Sequence, residues 1–175
     1  RWYRLAAVQG YAPAQFDLGV SYENGLGLSQ DYGRAAKWYR LAAEQGLAAA
    51  QFHLGVSYDL GQGVTQDYAE AIKWYRAAVA QGDAAAQNNL GSMFEYGLGV
   101  PQDYVEAVKW YQLAADQGYA KAQYNLGLMH ANGRGLPQDF MIAHQWLDLA
   151  VKAGSTLAPK DLADATDNRD QISAR

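Results

Sequence analysis

Tryptophan stands at Trp2, Trp38, Trp74, Trp110 and Trp146, each 36 residues after the one before. A chain that returns to one residue type at a fixed period of this length folds as stacked copies of a single supersecondary unit. Other columns keep the same step: Gly10, Gly46, Gly82, Gly118 and Gly154; Gln15, Gln51, Gln87 and Gln123; Asp31, Asp67, Asp103 and Asp139. Paired glycines recur at Gly25/Gly27, Gly61/Gly63, Gly97/Gly99 and Gly133/Gly135. The register divides the 175 residues into a truncated copy at 1–11 and four full copies at 12–46, 47–82, 83–118 and 119–154. Residues 155–175 remain as a terminal segment.

Each copy reads as two helices. Helix A of the first full copy is expected over about 12–24, with Ala14, Leu18 and Tyr22 at i, i+4 and i+8 as its core stripe. The Gly-Leu-Gly-Leu stretch then breaks the helix, because glycine supplies the positive φ that a turn needs. Asp31 offers a carboxylate to cap helix B, expected over 32–45. Glu70 and Glu106 follow Asp67 and Asp103 at the spacing of a capping box. Helix B is expected to bury Ala35, Trp38, Tyr39 and Ala42, and Gly46 to end it as a C′ glycine. The register predicts a truncated helix B and four A/B pairs, nine helical segments, followed by a terminal helix.

Gly19 sits in the middle of helix A and returns as Gly55, Gly91 and Gly127. A mid-helix glycine costs about 1 kcal/mol against alanine. Its recurrence implies a packing reason, a Trp or Tyr ring of a neighbouring helix B lying over the backbone. The last copy departs from the pattern, with Pro159 in the Gln column and Ala163 in the helix-glycine column. The polar stretch Lys160–Arg175 suits a capping helix or a linker to further chain.

Composition narrows the functions. The net charge is −4 and half the residues are hydrophobic. An acidic, globular composition argues against nucleic acid, which requires an excess of Lys and Arg. With no cysteine there is neither a disulfide framework nor a thiolate metal site. No apolar run approaches the ~20 residues of a membrane-spanning helix, so no membrane insertion is expected. The chain opens inside a predicted helix without an initiator Met or a signal-peptide pattern, as expected of a segment of a longer protein.

The strings Ala14-Gln15-x-x-Leu18-Gly19, Gly25-x-Gly27, Asp31-Tyr32 and Trp38-Tyr39-x-x-Ala42-Ala43-x-Gln45-Gly46 together resemble the Sel1-like repeat family, a relative of tetratricopeptide repeats. The likeness runs from residue 1 to about residue 154. It implies an all-α, right-handed superhelical solenoid with the A helices lining a concave groove. It also implies a protein-binding scaffold or adaptor, working as a monomer in a bacterial setting that is periplasmic, secreted or cytoplasmic. Some cysteine-rich relatives act on β-lactams, and an enzyme or binder of β-lactams or cell-wall fragments is the alternative; this chain lacks their paired cysteines. A structural spacer between other domains is a third reading.

Columns identical in every copy most simply serve packing, and variable columns are where partner choice can reside. On helix A, the face opposite the core stripe points into the groove by resemblance to the tetratricopeptide arrangement. In successive copies it carries Phe16, Val20 and Glu23; Phe52, Val56, Asp59 and Leu60; Asn88, Glu95 and Tyr96; then Tyr124 and Leu128. These residues are the candidate protein-binding positions. Their mixture suits a peptide or protein with apolar anchors and some positive charge. The packing reading of Phe16, Phe52, Val20 and Val56, as filler between adjacent copies, stands beside it.

Catalysis finds little support. His53, His130 and His144 fall in different columns and none has an i+4 partner for metal. The Gly-x-Gly loops follow a helix and lack the Lys and Ser/Thr of a phosphate-binding loop. No catalytic residue, cofactor or metal is expected.

Overall fold

The computed structural model describes residues 2–154 and 157–174. Ten helices follow one another among them, and no strand. α1 (Trp2–Val8) is the truncated helix B. Four A/B pairs follow: α2 (Ala12–Asn24) with α3 (Tyr32–Glu44), α4 (Ala48–Leu60) with α5 (Tyr68–Val79), α6 (Ala84–Tyr96) with α7 (Tyr104–Asp116), and α8 (Ala120–Asn132) with α9 (Phe140–Lys152). α10 (Pro159–Ser173) closes the series. The chain divides into two compact units, Arg1–Ala86 and Gln87–Arg175. α2, α4 and α8 each pair with their own B helix, α6 meets α7 where Tyr111 covers Gly91, and within a unit each B helix also packs on the next A helix.

The turns account for themselves residue by residue. Helix A ends on a left-handed glycine, Gly25 at φ 69°. The Asp31 carboxylate accepts from the Arg34 N–H, and Asp67, Asp103 and Asp139 cap their helices in the same way. The capping boxes do not close. Glu70 and Glu106 instead accept from Lys73 and Lys109. Their return bond has no donor to meet, because the N–H groups of Asp67 and Asp103 already reach Tyr58 O and Phe94 O at 3.0 and 2.9 Å. After helix B, the Gly46 N–H bonds Ala43 O and the Leu47 N–H bonds Ala42 O, the paired bonds of a Schellman end.

The mid-helix glycine is explained by tyrosine, not tryptophan. A Cβ on Gly19 would lie 2.6 Å from the Tyr39 ring, one on Gly55 2.7 Å from Tyr75, and one on Gly91 2.8 Å from Tyr111. Tyr39, Tyr75 and Tyr111 are wholly buried, whereas Trp38, Trp74, Trp110 and Trp146 are only partly so. The expectation that helix B buries Trp38 is therefore corrected. Trp38 packs at the edge of the Ala7–Ala14–Leu18 cluster, and Trp74 at the edge of the Tyr39–Leu54 cluster. In the fourth pair Leu147 takes the place of the tyrosine against Gly127.

Two further columns tie one copy to the next. Gln15 donates to Ala7 O of the preceding helix B at 3.1 Å and accepts from Gln45 at 2.7 Å. Gln51 repeats this with Ala43 O and Gln81, and Gln87 accepts from Gln117 at 2.7 Å. The loop glycine Gly63 lies against the first turn of α3, so close that a Cβ would meet Tyr32 O at 2.1 Å. Gly135 stands in the same relation to Tyr104 O of α7, at 2.3 Å.

α10 packs on α9 as an A helix packs on the preceding B helix. Its Ala165 and Ile172 join a cluster with Tyr124, Leu147 and Ala150, and its Asp161 pairs with Lys121 of α8.

Candidate protein-binding face

The candidate positions lie on the A helices, and the two units treat them differently. In the first unit the face is filled. Phe16 lies 5.7 Å from the Tyr39 ring and 5.3 Å from His53; Phe52 lies 5.4 Å from His53 and 6.1 Å from Tyr75. Val20 is half-buried against the Tyr39 cluster, and Val56 is half-buried as well. Leu60 alone is well exposed, at 58%.

The acidic positions have partners inside the repeat. The Tyr39 hydroxyl donates to Glu23, Tyr75 to Asp59 at 3.1 Å, and Tyr111 to Glu95 at 2.7 Å. His53 Nδ1 lies 3.5 Å from the Glu23 carboxylate. This hydrogen bond from His53, with the one from Tyr39, holds the Glu23 carboxyl below the usual range against the opposing effect of burial. Asp59 lacks such a neighbour, and burial pushes its carboxyl up although Tyr75 donates to it. Burial and the adjoining Glu23 push the Tyr39 phenol well above its ordinary value.

In the second unit the same columns hold smaller, polar groups. Asn88 replaces Phe16 and Phe52, and Ser92 replaces Val20 and Val56. A cavity of about 380 Å³ opens there, bounded by α6, α8 and α10 with Tyr111 of α7. Asn88 is 6% exposed; its Oδ1 accepts from Asn125 at 2.9 Å and its Nδ2 donates to Asn89 at 3.2 Å. Tyr96, 63% exposed, and Tyr124, 9% exposed, both line the cavity with Leu128. Glu95 is buried beside it, with Arg134 at 3.6 Å. Burial, with Asp164 and Asp161 nearby, raises the Tyr124 phenol, and burial with Glu95 nearby raises that of Tyr96.

The structure thus brings Asn88, Tyr96, Tyr124 and Leu128 together around one hollow. Sequence reasoning missed Asn125, Lys121 and the α10 residues Lys160, Asp161 and Asp164, which share it. Asn125 follows Tyr124 directly and falls outside the face drawn from positions 16, 20, 23 and 24. The α10 residues read as the polar side of a terminal helix. A second, apolar hollow of about 570 Å³ lies between Phe140, Met141 and His144 of α9 and Ile172 of α10. Among the described residues no cluster of His, Asp or Glu is placed to hold a metal, and no helix is long and apolar enough to cross a membrane.

Helix pairs that repeat in register, each capped by Asp, ended by glycine and closed by a large side chain over a bare backbone (a tyrosine ring in three, Leu147 in the fourth), define an α-solenoid repeat protein. The Sel1 repeat profile matches residues 12–47, 48–83, 84–119 and 120–155, so the chain belongs to the Sel1 repeat family. A protective antigen of uropathogenic Escherichia coli with an SLR fold is 44% identical, with a TM-score of 0.83, over 87% of this chain and 33% of that one. A Sel1 repeat protein from Oxalobacter formigenes is 38% identical, with a TM-score of 0.73, over 83% of this chain and 60% of that one. At 24% identity, a Sel1 repeat protein from Klebsiella pneumoniae shares the fold, with a TM-score of 0.61, over 98% of this chain and 82% of that one. The chain therefore spans a third of the Escherichia coli antigen and three-fifths of the Oxalobacter protein. No curated protein matches it. Sel1 repeats are in general protein-interaction scaffolds rather than catalysts.

Proposed function

We propose that this chain is a docking module for another protein, and that the partner lies on the face of the A helices. The observation that carries the reading is the change of filling along that face. Phenyl and valyl side chains occupy it in the first unit, whereas Asn88 and Ser92 leave a cavity of about 380 Å³ beside Tyr96 in the second. A fold selected only for packing would gain stability by keeping the large apolar groups. A hollow with an exposed aromatic at its rim is the arrangement of an interface anchor site.

The remaining candidates have graded roles. Leu60 and Tyr96 are the accessible anchors; Phe16, Phe52, Val20 and Val56 shape the face from beneath. Glu23, Asp59 and Glu95 give it negative potential that favours a partner with some positive charge, although each carboxylate is held by a phenol. The chain works as a monomer, with α10 as its cap. Panning linear and helix-constrained displayed peptide libraries on the immobilised chain tests the proposal. Enriched peptides should protect the A helices of a unit, α6 and α8 around the cavity of the second, from hydrogen exchange. Protection confined to the B helices or loops, or no enrichment over a blank surface, defeats it.

A further inference from the structure

We infer that the solvent side of α3 in the first unit is a docking site for an acidic segment of a partner protein, with Lys37 and Arg40 receiving one of its carboxylate side chains. The site does not involve the A-helix face, so its failure would leave the docking proposal standing.

The charges of the first unit are sorted by helix. Every lysine and arginine in residues 2–86 stands on a B helix: Arg4 on α1, Arg34, Lys37 and Arg40 on α3, Lys73 and Arg76 on α5. All six are exposed. The A helices α2 and α4 carry Asp17, Glu23 and Asp59 and no cation. A chain of net charge −4 therefore presents a basic face on one set of its helices. Such a face attracts a negative partner and turns a positive one away.

The cations concentrate on α3, and their pairing there differs from that of the later copies. Lys73 and Lys109 each hold the glutamate three residues earlier, Glu70 and Glu106. Arg34 takes that place in α3 and pairs with Asp31 at 3.2 Å, so Lys37 lacks the acid its counterparts have. Arg40 donates to the Tyr58 hydroxyl and lies over that ring at 5.7 Å, which orients it without neutralising it. Arg34, Lys37 and Arg40 thus follow one another at a spacing of three, where like charges repel. An incoming carboxylate relieves the repulsion and accepts charge-assisted hydrogen bonds.

Beside these cations lies a hollow, bounded by Gly33, Ala36, Lys37 and Arg40 of α3 and by Gly63 and Val64 of the loop before α5. Gly33 helps to open it, since the same column holds Ala69, Val105 and Met141 in the later copies. A Cβ there would lie 3.3 Å from Asp31 Oδ1 and 3.8 Å from Gly63 O, so no ring over the backbone requires glycine, in contrast to Gly19. Ala36 and Val64 make an apolar floor with two cations at its rim. That arrangement fits a short aliphatic stem ending in an anion, which describes a glutamate side chain. In α9 the corresponding hollow is lined by Met141, His144 and Gln145, and Asp148 stands in the Arg40 column, so the pair of cations is gone. A bilayer of anionic lipid fits the face less well. It would bring Glu44 and Glu70, which stand among the cations, against like charge, whereas a peptide places its carboxylates only where the cations are.

The test uses the full ¹⁵N-labelled chain and N-acetyl-(Glu)₆-amide at neutral pH. The backbone amide signals of Gly33, Lys37 and Gly63 should shift saturably, and added salt should weaken the binding. The corresponding glutamine peptide should leave those signals in place. Lys37→Glu should weaken binding about tenfold or more, as expected for the loss of a charge-assisted hydrogen bond. Lys109→Glu makes the same change of charge on α7, outside the site, and should weaken binding by less than about twofold. Gly33→Val keeps every charge, fills the hollow with the residue of the third copy, and should weaken binding as well. Should that variant fail to fold, the comparison of the two lysine variants decides. No shift, an equal shift with the glutamine peptide, or equal losses in the two lysine variants overturns the inference. So does undiminished binding by a folded Gly33→Val, a response to phosphatidylglycerol vesicles alone, or a set of shifts confined to the A helices.

Discussion

The phenol of Tyr111 donates a 2.7 Å hydrogen bond to the carboxylate of Glu95, sixteen residues earlier in the chain. Tyr39/Glu23 and Tyr75/Asp59 repeat the pair at the same separation. In the fourth copy Leu147 and Ala131 stand at the two positions, so phenol and acid are lost together. The ring covers Gly91 and its hydroxyl must then find an acceptor at the end of helix A. Removing either partner alone leaves a buried polar group unmatched, at about 1–3 kcal/mol. Tyr111→Phe and Glu95→Ala should each destabilise, while the double variant should lose less than their sum by roughly 1 kcal/mol. Urea denaturation of the four proteins reads the coupling, and strict additivity would show that the pair is not a unit.

Gly91→Ala should destabilise although alanine is the better helix former by about 1 kcal/mol. Its Cβ would meet the Tyr111 ring at 2.8 Å and Ala107 O at 3.2 Å. Overpacking of this kind costs about 1–3 kcal/mol. A melting temperature within a degree of wild type would refute the close-packing account.

Tyr75→Ala should cost about 3–5 kcal/mol, in the range of large-to-small changes at buried rings. Trp74→Ala should cost less, because the indole is only partly buried and its Nε1 has no hydrogen-bond partner. The order of the two urea midpoints is the measurement, and the reverse order would restore tryptophan as the core ring.

Glu23 and Asp59 should respond to pH with opposite sign. The folded state lowers the Glu23 carboxyl from 4.5, so its stabilisation is present above that pH and is lost as pH falls through the folded value. The folded state raises Asp59 from 3.8, so its contribution is present at acid pH and is lost as pH rises through the folded value. At pH 7, Glu23→Gln should therefore destabilise and Asp59→Asn should stabilise. Changing His53→Asn, the residue found at the same column in Asn89 and Asn125, should move the Glu23 titration midpoint upward in ¹³C NMR. An unmoved midpoint would remove His53 as the cause.

Tyr96→Ala should weaken partner binding with little change in melting, since exposed substitutions usually fall within about ±0.5 kcal/mol. Tyr124 cannot serve the same purpose, because it is packed with Leu147, Ala150 and Ala165. Surface plasmon resonance with a peptide from the library selection, beside a melting curve, tests the claim. Unchanged affinity in Tyr96→Ala would exclude it as an anchor.

The period, the helix pairs and the aspartate caps were legible in the sequence because each is a local matter of residue type and spacing. The choice of Tyr39 over Trp38 was not. Neighbouring residues on a helix differ by about 100°, and which of two aromatics faces a bare backbone depends on how the helices cross. The candidate face was legible only in part. Its A-helix positions did mark the cavity in the second unit, but Phe16 and Phe52 stack with helix-B tyrosines of their own copies and with His53, which Phe16 meets across the copy boundary, contacts that the spacing within one helix does not display. The bond between Gln15 and Gln45 likewise spans thirty residues. Joint loss of Tyr and acid in the fourth copy was a visible sign of contact, carried by two columns read together.

Surface loops ordinarily accept extra residues at little thermodynamic cost. The loops that hold Gly63 and Gly135 are tighter, since Gly63 rests on Tyr32 O and Gly135 on Tyr104 O with no room for a methyl group. A residue inserted into such a loop would lift it off the first turn of the preceding copy's helix B. The unbroken step of 36 over five tryptophans agrees with two loops that leave no space for a further residue.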